Sequence, residues 1–112
     1  MIEPSIKSII WVKAQIRLCD INLLPIAVIH KGDPDAGTIL LKINRIPIGF
    51  EIFNQTRTLK GEKAWTCITG NRPVTEEIAH LKIQTQRKVD PDIWVLEIED
   101  PHYTYNFEEP II

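Results

Sequence analysis

The stretch Val89–Asp100 constrains this chain more than any other. An Asp90-Pro91-Asp92 turn releases Ile93-Trp94-Val95-Leu96-Glu97-Ile98-Glu99. At a period of two, Trp94, Leu96 and Ile98 share one face. Ile93 and Val95 share the other, which turns acidic at Glu97 and Glu99. A strand apolar on both faces belongs in the middle of a sheet. An echo lies upstream, where Gly32-Asp33-Pro34-Asp35-Ala36-Gly37 feeds Ile39-Leu40-Leu41. The fold is organised around these two turns and the strands they launch.

The chain in order reads as helix, four strands, helix, and one or two further strands. Ser5 is placed to cap a first helix whose stripe is Ile6, Ile9, Val12, Ile16 and Cys19, widened by Trp11, Ala14 and Leu18. Lys7, Lys13, Gln15 and Arg17 fill the remaining positions, and Pro25 stops the helix. Strands are expected at Ile26–Lys31, Thr38–Asn44, Phe50–Asn54 and Lys63–Thr69, with Gln55–Glu62 an exposed loop. Thr75 caps a second helix with Glu76 and Glu77 in its first turn, where the helix dipole favours acids. Ile78 and Leu81 are expected to face inward, and the helix ends near Val89 because Asp90 precedes proline. After Ile93–Glu99, the alternation of Tyr103, Tyr105 and Phe107 suggests a short sixth strand. A loose end is expected from about residue 108. Short turns between successive strands imply mainly antiparallel pairing. The class is α+β: an N-terminal helix, a four-strand antiparallel meander, a second helix, then one or two strands in the same sheet.

At 112 residues, with 44% apolar and 25% charged side chains, the chain has the size of a single domain, residues 1–112, able to bury a core. A net charge of −2 gives no general attraction to nucleic acid or anionic membrane. Cys19 and Cys67 form neither a Cys-x-x-Cys nor a zinc pattern, so buried reduced thiols are expected. No segment is long enough to span a membrane, and the first residues lack a signal-peptide pattern, so a cytoplasmic location is expected.

Several stretches resemble a known family. They are Ile10-Trp11-Val12-Lys13-Ala14, Arg17-Leu18-Cys19, Leu24-Pro25, Gly32 to Gly37, Leu41-Lys42-Ile43-Asn44-Arg45, and Asp90 to Asp100. Together they resemble an uncharacterised alphaproteobacterial family, domain of unknown function 1491, over roughly Ile10 to Asp100. The two acidic turns are the most specific part. The resemblance implies a small, stand-alone bacterial protein and carries over no activity, ligand or catalytic residue.

Asp33, Asp35, Asp90 and Asp92 are the candidate metal ligands. Carboxylates converging from two turns can hold Mg²⁺ or Ca²⁺, although the calcium-loop spacing is absent. The competing account is that Asp around Pro is ordinary turn chemistry. A metal-dependent nuclease would need an acid-x-lysine beside Asp35 and Lys42, and neither Glu51-Ile52-Phe53 nor Glu97-Ile98-Glu99 supplies it. His30, His80 and His102 share no motif. Lys42, Arg45 and Arg57 would bind nucleic acid only as a clustered basic face, and on this charge balance no nucleic-acid partner is expected.

No catalytic constellation is complete. The expectation is therefore a non-enzymatic interaction or accessory protein with a protein partner and no cofactor. The alternative is a divalent-metal enzyme using the Asp-Pro-Asp turns. Assembly depends on the helices. Two helices on one face would leave the other with an exposed apolar centre, so a homodimer is expected; the competing solution is a helix on each face, which would cover the sheet in a monomer.

Overall fold

The computed structural model describes residues 6–112, so the expected Ser5 cap lies outside the described residues. The elements are α1 (Ser8–Ile21), β1 (Ile26–His30), β2 (Ile39–Asn44), β3 (Phe50–Arg57), β4 (Lys63–Cys67), α2 (Glu76–Val89) and β5 (Trp94–Glu99). The α+β order of the sequence reading holds.

The strand order is β1-β5-β2-β3-β4. The run apolar on both faces is β5, and it sits inside the sheet. It pairs antiparallel with β1, Val28 opposite Leu96, and parallel with β2, Leu41 opposite Leu96. The meander is therefore β2-β3-β4, and β1 joins it only through β5. A strand inserted from the far end of the chain separates two strands that are consecutive in sequence, and the sheet is mixed rather than wholly antiparallel.

The connection from β1 to β2 must step over the end of β5, which is why its glycines matter. A Cβ on Gly32 would run into the Asp92 carbonyl, and one on Gly37 would come within 2.6 Å of the same oxygen. Asp33 N–H donates to Asp92 O at 2.9 Å, and Trp94 Nε1–H donates to Asp33 O at 2.7 Å. The two Asp-Pro-Asp turns are thus stacked through their backbones.

One helix covers each face. Val12 and Cys19 of α1 pack on Ile39, Leu41, Ile43, Trp94, Leu96 and Ile98. Ala79 and Ile83 of α2 pack on Leu40, Ile52, Ile93 and Val95. The premise that favoured a dimer, both helices on one face, is not met.

Helix register differs from the sequence reading in two places. Gln15, assigned to the solvent side of α1, is buried and accepts from Tyr105 O–H at 2.6 Å, whereas Ile6 and Ala14 are exposed. In α2 the inward residues are Ala79 and Ile83, four apart, while Ile78 and Leu81 are exposed. The fully buried Ala79 lets the helix lie close to the sheet, which turns Ile78 and Leu81 aside. The Thr75 cap forms as expected, its hydroxyl accepting from Ile78 N–H.

No sixth strand forms over 103–107. The Asp100 carboxylate instead accepts from the N–H groups of Thr104 and Tyr105, curling the chain away from the sheet. The last residues then run along β4. Trp65 N–H donates to Pro110 O and Ile112 N–H donates to Trp65 O, so the segment expected to be loose is docked there.

Candidate functional site

The two turns that carry the candidate metal ligands lie side by side, but Asp33 and Asp90 each bond within their own turn. Asp33 Oδ2 accepts from Ala36 N–H within its own turn, and Asp90 Oδ1 accepts from Asp92 N–H within its own. Asp35 lies 3.6 Å from the Lys7 ammonium, both exposed. What meets between the turns is backbone and the Trp94 indole. No group of three or more His, Cys, Asp or Glu side chains placed to hold a metal occurs among the described residues.

The cations weighed for phosphate or nucleic-acid contact are mostly committed elsewhere. Lys42 is nearly buried, 3.0 Å from Glu97 and over the Phe50 ring. Arg45 is buried between Glu51 at 2.7 Å and Asp100 at 2.8 Å, with the Tyr103 ring stacked on its guanidinium. Arg57 is exposed and donates to Gly61 O. His30 sits at a strand end with Nδ1 2.8 Å from Ile93 O.

The Arg45–Asp100 pair anchors a buried polar chain. Burial works to raise the Asp100 pKa, but the Thr104 and Tyr105 N–H groups, the Thr104 hydroxyl and Arg45 outweigh it and hold the carboxyl below its usual range. Burial first, and Asp100 second, push the Cys19 thiol up to about 11, so it stays protonated at neutral pH. This cluster fastens the C-terminal segment. Its polar groups are bonded to one another, and its chemistry is structural.

The surface that remains is built by α1 and β1. The helix is apolar nearly all round, which suits a helix enclosed on all sides. Here one side is enclosed among the described residues. Ile10, Ala14 and Ile21 fall on the outward face, within 40° of one another at 100° per residue, and Ile10 and Ile21 are more than half exposed.

The helix ends in a Schellman motif: Leu23 N–H donates to Asp20 O and Leu24 N–H to Cys19 O. The left-handed position of that motif normally takes glycine, yet here it is Leu23, at φ 58°. Its side chain is 88% exposed. Leu24 turns inward against the core, and Pro25 leads into β1.

β1 is an edge strand of Ile-Ala-Val-Ile-His with Val28 and Ile29 exposed, and among the described residues it pairs only with β5. Between α1 and β1 lies an open groove of about 790 Å³. Ala14, Ile16, Leu24, Pro25 and Ile26 give it an apolar floor; Lys13, Arg17 and Asp20 form its rim. A second concavity, of about 370 Å³, lies at the N-terminal end of α1 beside Trp11, Trp65 and Glu109.

The sequence reading missed this surface because it placed Ile6, Ala14, Ile16 and Leu18 in the buried stripe. The readable signal was the excess of apolar positions in α1 over what one helix face can bury.

Comparison with known proteins bears on the fold and on function. A family model described as "Protein of unknown function (DUF1491)" matches residues 6–108. A crystal structure of a DUF1491 family protein from Caulobacter crescentus is similar at 30% identity and a TM-score of 0.84, covering 96% of this chain and 100% of that one. An NMR structure of a DUF1491 family protein from the same organism is similar at 29% identity and 0.82, covering 98% and 99%. A solution structure of a protein from A. tumefaciens, at 23% identity and 0.72, covers 85% and 86% and shares the fold. No curated protein matches.

Proposed function

The chain belongs to the DUF1491 family of proteins of unknown function, and for it we propose a role in binding rather than catalysis, through the surface made by outer α1, Leu23 and β1. The observation that carries this reading is Leu23. A leucine in left-handed backbone costs about 1–2 kcal/mol relative to right-handed geometry, and glycine would relieve that strain. This leucine recovers nothing by burial, since its side chain is 88% exposed. A strained, exposed apolar residue between an apolar helix face and an uncovered strand fits a contact made with another molecule. The polar residues support the same reading: Asp33 and Asp90 bond the backbone of their own turns, Arg45 pairs with Asp100, and Lys42 pairs with Glu97. A divalent-metal enzyme would instead require the turn carboxylates to converge.

The test uses the protein at its natural level in native lysate. Size exclusion should place it well above its 12.9 kDa monomer mass. The triple variant Ile21→Asp, Leu23→Asp, Val28→Lys should return it to the monomer position with its melting temperature held. A wild-type protein eluting as a free monomer overturns the reading, as does a complex that survives the triple substitution.

A further inference from the structure

We propose that the groove between α1 and β1 receives an extended peptide segment of a partner protein, alternately apolar and acidic, which adds as a new strand to the open edge of β1. The proposal rests on the binding reading and names its partner class.

Three features combine. First, β1 is an edge whose outer backbone has no partner among the described residues, so it offers a row of N–H and C=O groups to an incoming strand. Second, the groove meets the start of that edge at Ile26, with an apolar floor of Ile16, Leu24 and Ile26. In an added strand, alternate side chains point to one face, which brings every second residue over that floor. Third, the rim is cationic. Lys13 and Arg17 stand against Asp20 alone, and no ion pair engages either cation among the described residues. On a chain of net charge −2, that local positive rim selects an acidic partner.

The same features favour this occupant over two others. A second copy paired through β1 about a two-fold axis would set the Lys13 and Arg17 flanks of two α1 helices side by side. A lipid surface would leave the backbone groups of the edge unpaired, because acyl chains offer them no partner.

The experiment titrates ¹⁵N-labelled protein with two synthetic nine-residue peptides, one alternating Val and Glu, the other Val and Lys. The Val–Glu peptide should shift the amides of Ile26–His30 and Lys13–Arg17, and the Val–Lys peptide should not. The double variant Lys13→Glu, Arg17→Glu should weaken the Val–Glu peptide at least tenfold and admit the Val–Lys peptide. Equal shifts by both peptides, shifts confined to other elements, or no shifts overturn the proposal. So does broadening of the β1 amides by anionic phosphatidylglycerol vesicles alone, or by concentration alone, which would reveal a second copy. Loss of the lysate complex defeats the binding reading itself. A complex that persists while the Val–Glu peptide leaves β1 untouched overturns only the strand-addition proposal.

Discussion

The two edges of the sheet are treated in opposite ways. At β4 the chain covers its own edge. Trp65 exchanges backbone hydrogen bonds with Pro110 and Ile112, and its indole N–H donates to Glu109 at 3.2 Å. Its ring is buried against Trp11 and Phe107, each with centroids 5.9 Å away. At β1 nothing comparable is built among the described residues. The strand is short, carries an irregularity between Val28 and His30, and follows Pro25, which are the milder devices by which edges avoid indiscriminate pairing. The contrast separates an edge closed as part of folding from one left open and moderated. An edge of the second kind suits reversible pairing.

The contrast predicts a steep gradient of mutational sensitivity across the sheet. Trp94 lies in β5 at 1% exposure, so Trp94→Ala should cost about 3–5 kcal/mol. Val28 pairs with Leu96 of the same strand but is 41% exposed, so Val28→Ala should stay within about 0.5 kcal/mol. Urea denaturation of both variants measures the gradient. A loss above about 1 kcal/mol at Val28 would mean that β1 is already covered in solution, and would break the comparison.

The next effect is at the fastening of the tail. Asp100→Ala leaves the buried Arg45 with Glu51 as its remaining charged partner, and should cost about 3 kcal/mol, the low end for breaking a buried pair. The pH dependence follows from the direction of the Asp100 shift. Its folded pKa is depressed below 3.8, so its contribution is fully present above that value and is lost as pH falls through the folded pKa. In acid the difference between wild type and Asp100→Asn should therefore shrink. Because Asp100 holds Thr104 and Tyr105, the Trp65 amide at the β4 edge should lose protection over that range, its exchange rate being compared with the intrinsic rate at each pH. A stability difference unchanged across the acid limb would show that the carboxylate is not what fastens the tail.

Part of this architecture was legible in advance. The apolar alternation of Ile93 to Ile98 marked the inner strand. Thr75 with Glu76 and Glu77 marked a helix start, because a cap is a local hydrogen bond written in local sequence. Strand order was not legible, since the apolar pattern of β1 and β2 is the same whether they pair or admit β5 between them. Gly32 and Gly37 were read as turn residues, and only the Asp92 carbonyl between them shows that they are spaced for a crossing. Arg45 and Asp100, fifty-five residues apart, could not be matched by any local rule. Gln15 looked solvated because its partner, Tyr105, arrives from ninety residues away. At the acidic turns the residue types were noted correctly as turn formers, but whether their carboxylates converge depends on which way two backbones face.

Removing residues 109–112 turns the closed edge into an open one. Two backbone hydrogen bonds and one from the Trp65 indole are lost, at a net ~0.5–1.5 kcal/mol each when water replaces the partner, so a loss of about 2 kcal/mol is expected. The truncated protein should also become more prone to concentration-dependent association than the full chain. Dynamic light scattering across a tenfold dilution measures this. If the truncated chain stays monomeric, the tail is not needed as an edge cover, and the two edges are more alike than their hydrogen bonds suggest.

The smallest effect is the most discriminating. Leu23 occupies the left-handed position of the α1 Schellman motif, where glycine has no Cβ to clash. Its side chain is almost wholly in water, so truncation removes no packing. Leu23→Gly relieves the strain of the folded backbone but adds freedom to the unfolded chain, and the two effects partly cancel. The net result should be a gain of about 0.5 kcal/mol, since the left-handed penalty for a non-glycine residue is about 1–2 kcal/mol and the entropy of an added glycine offsets up to about 1 kcal/mol. A melting temperature raised by a few degrees, together with a weakened complex in native lysate, would show that leucine is kept here for its exposed side chain. A melting temperature that falls would mean that Leu23 is covered in the folded protein, and the surface would lose its most telling residue.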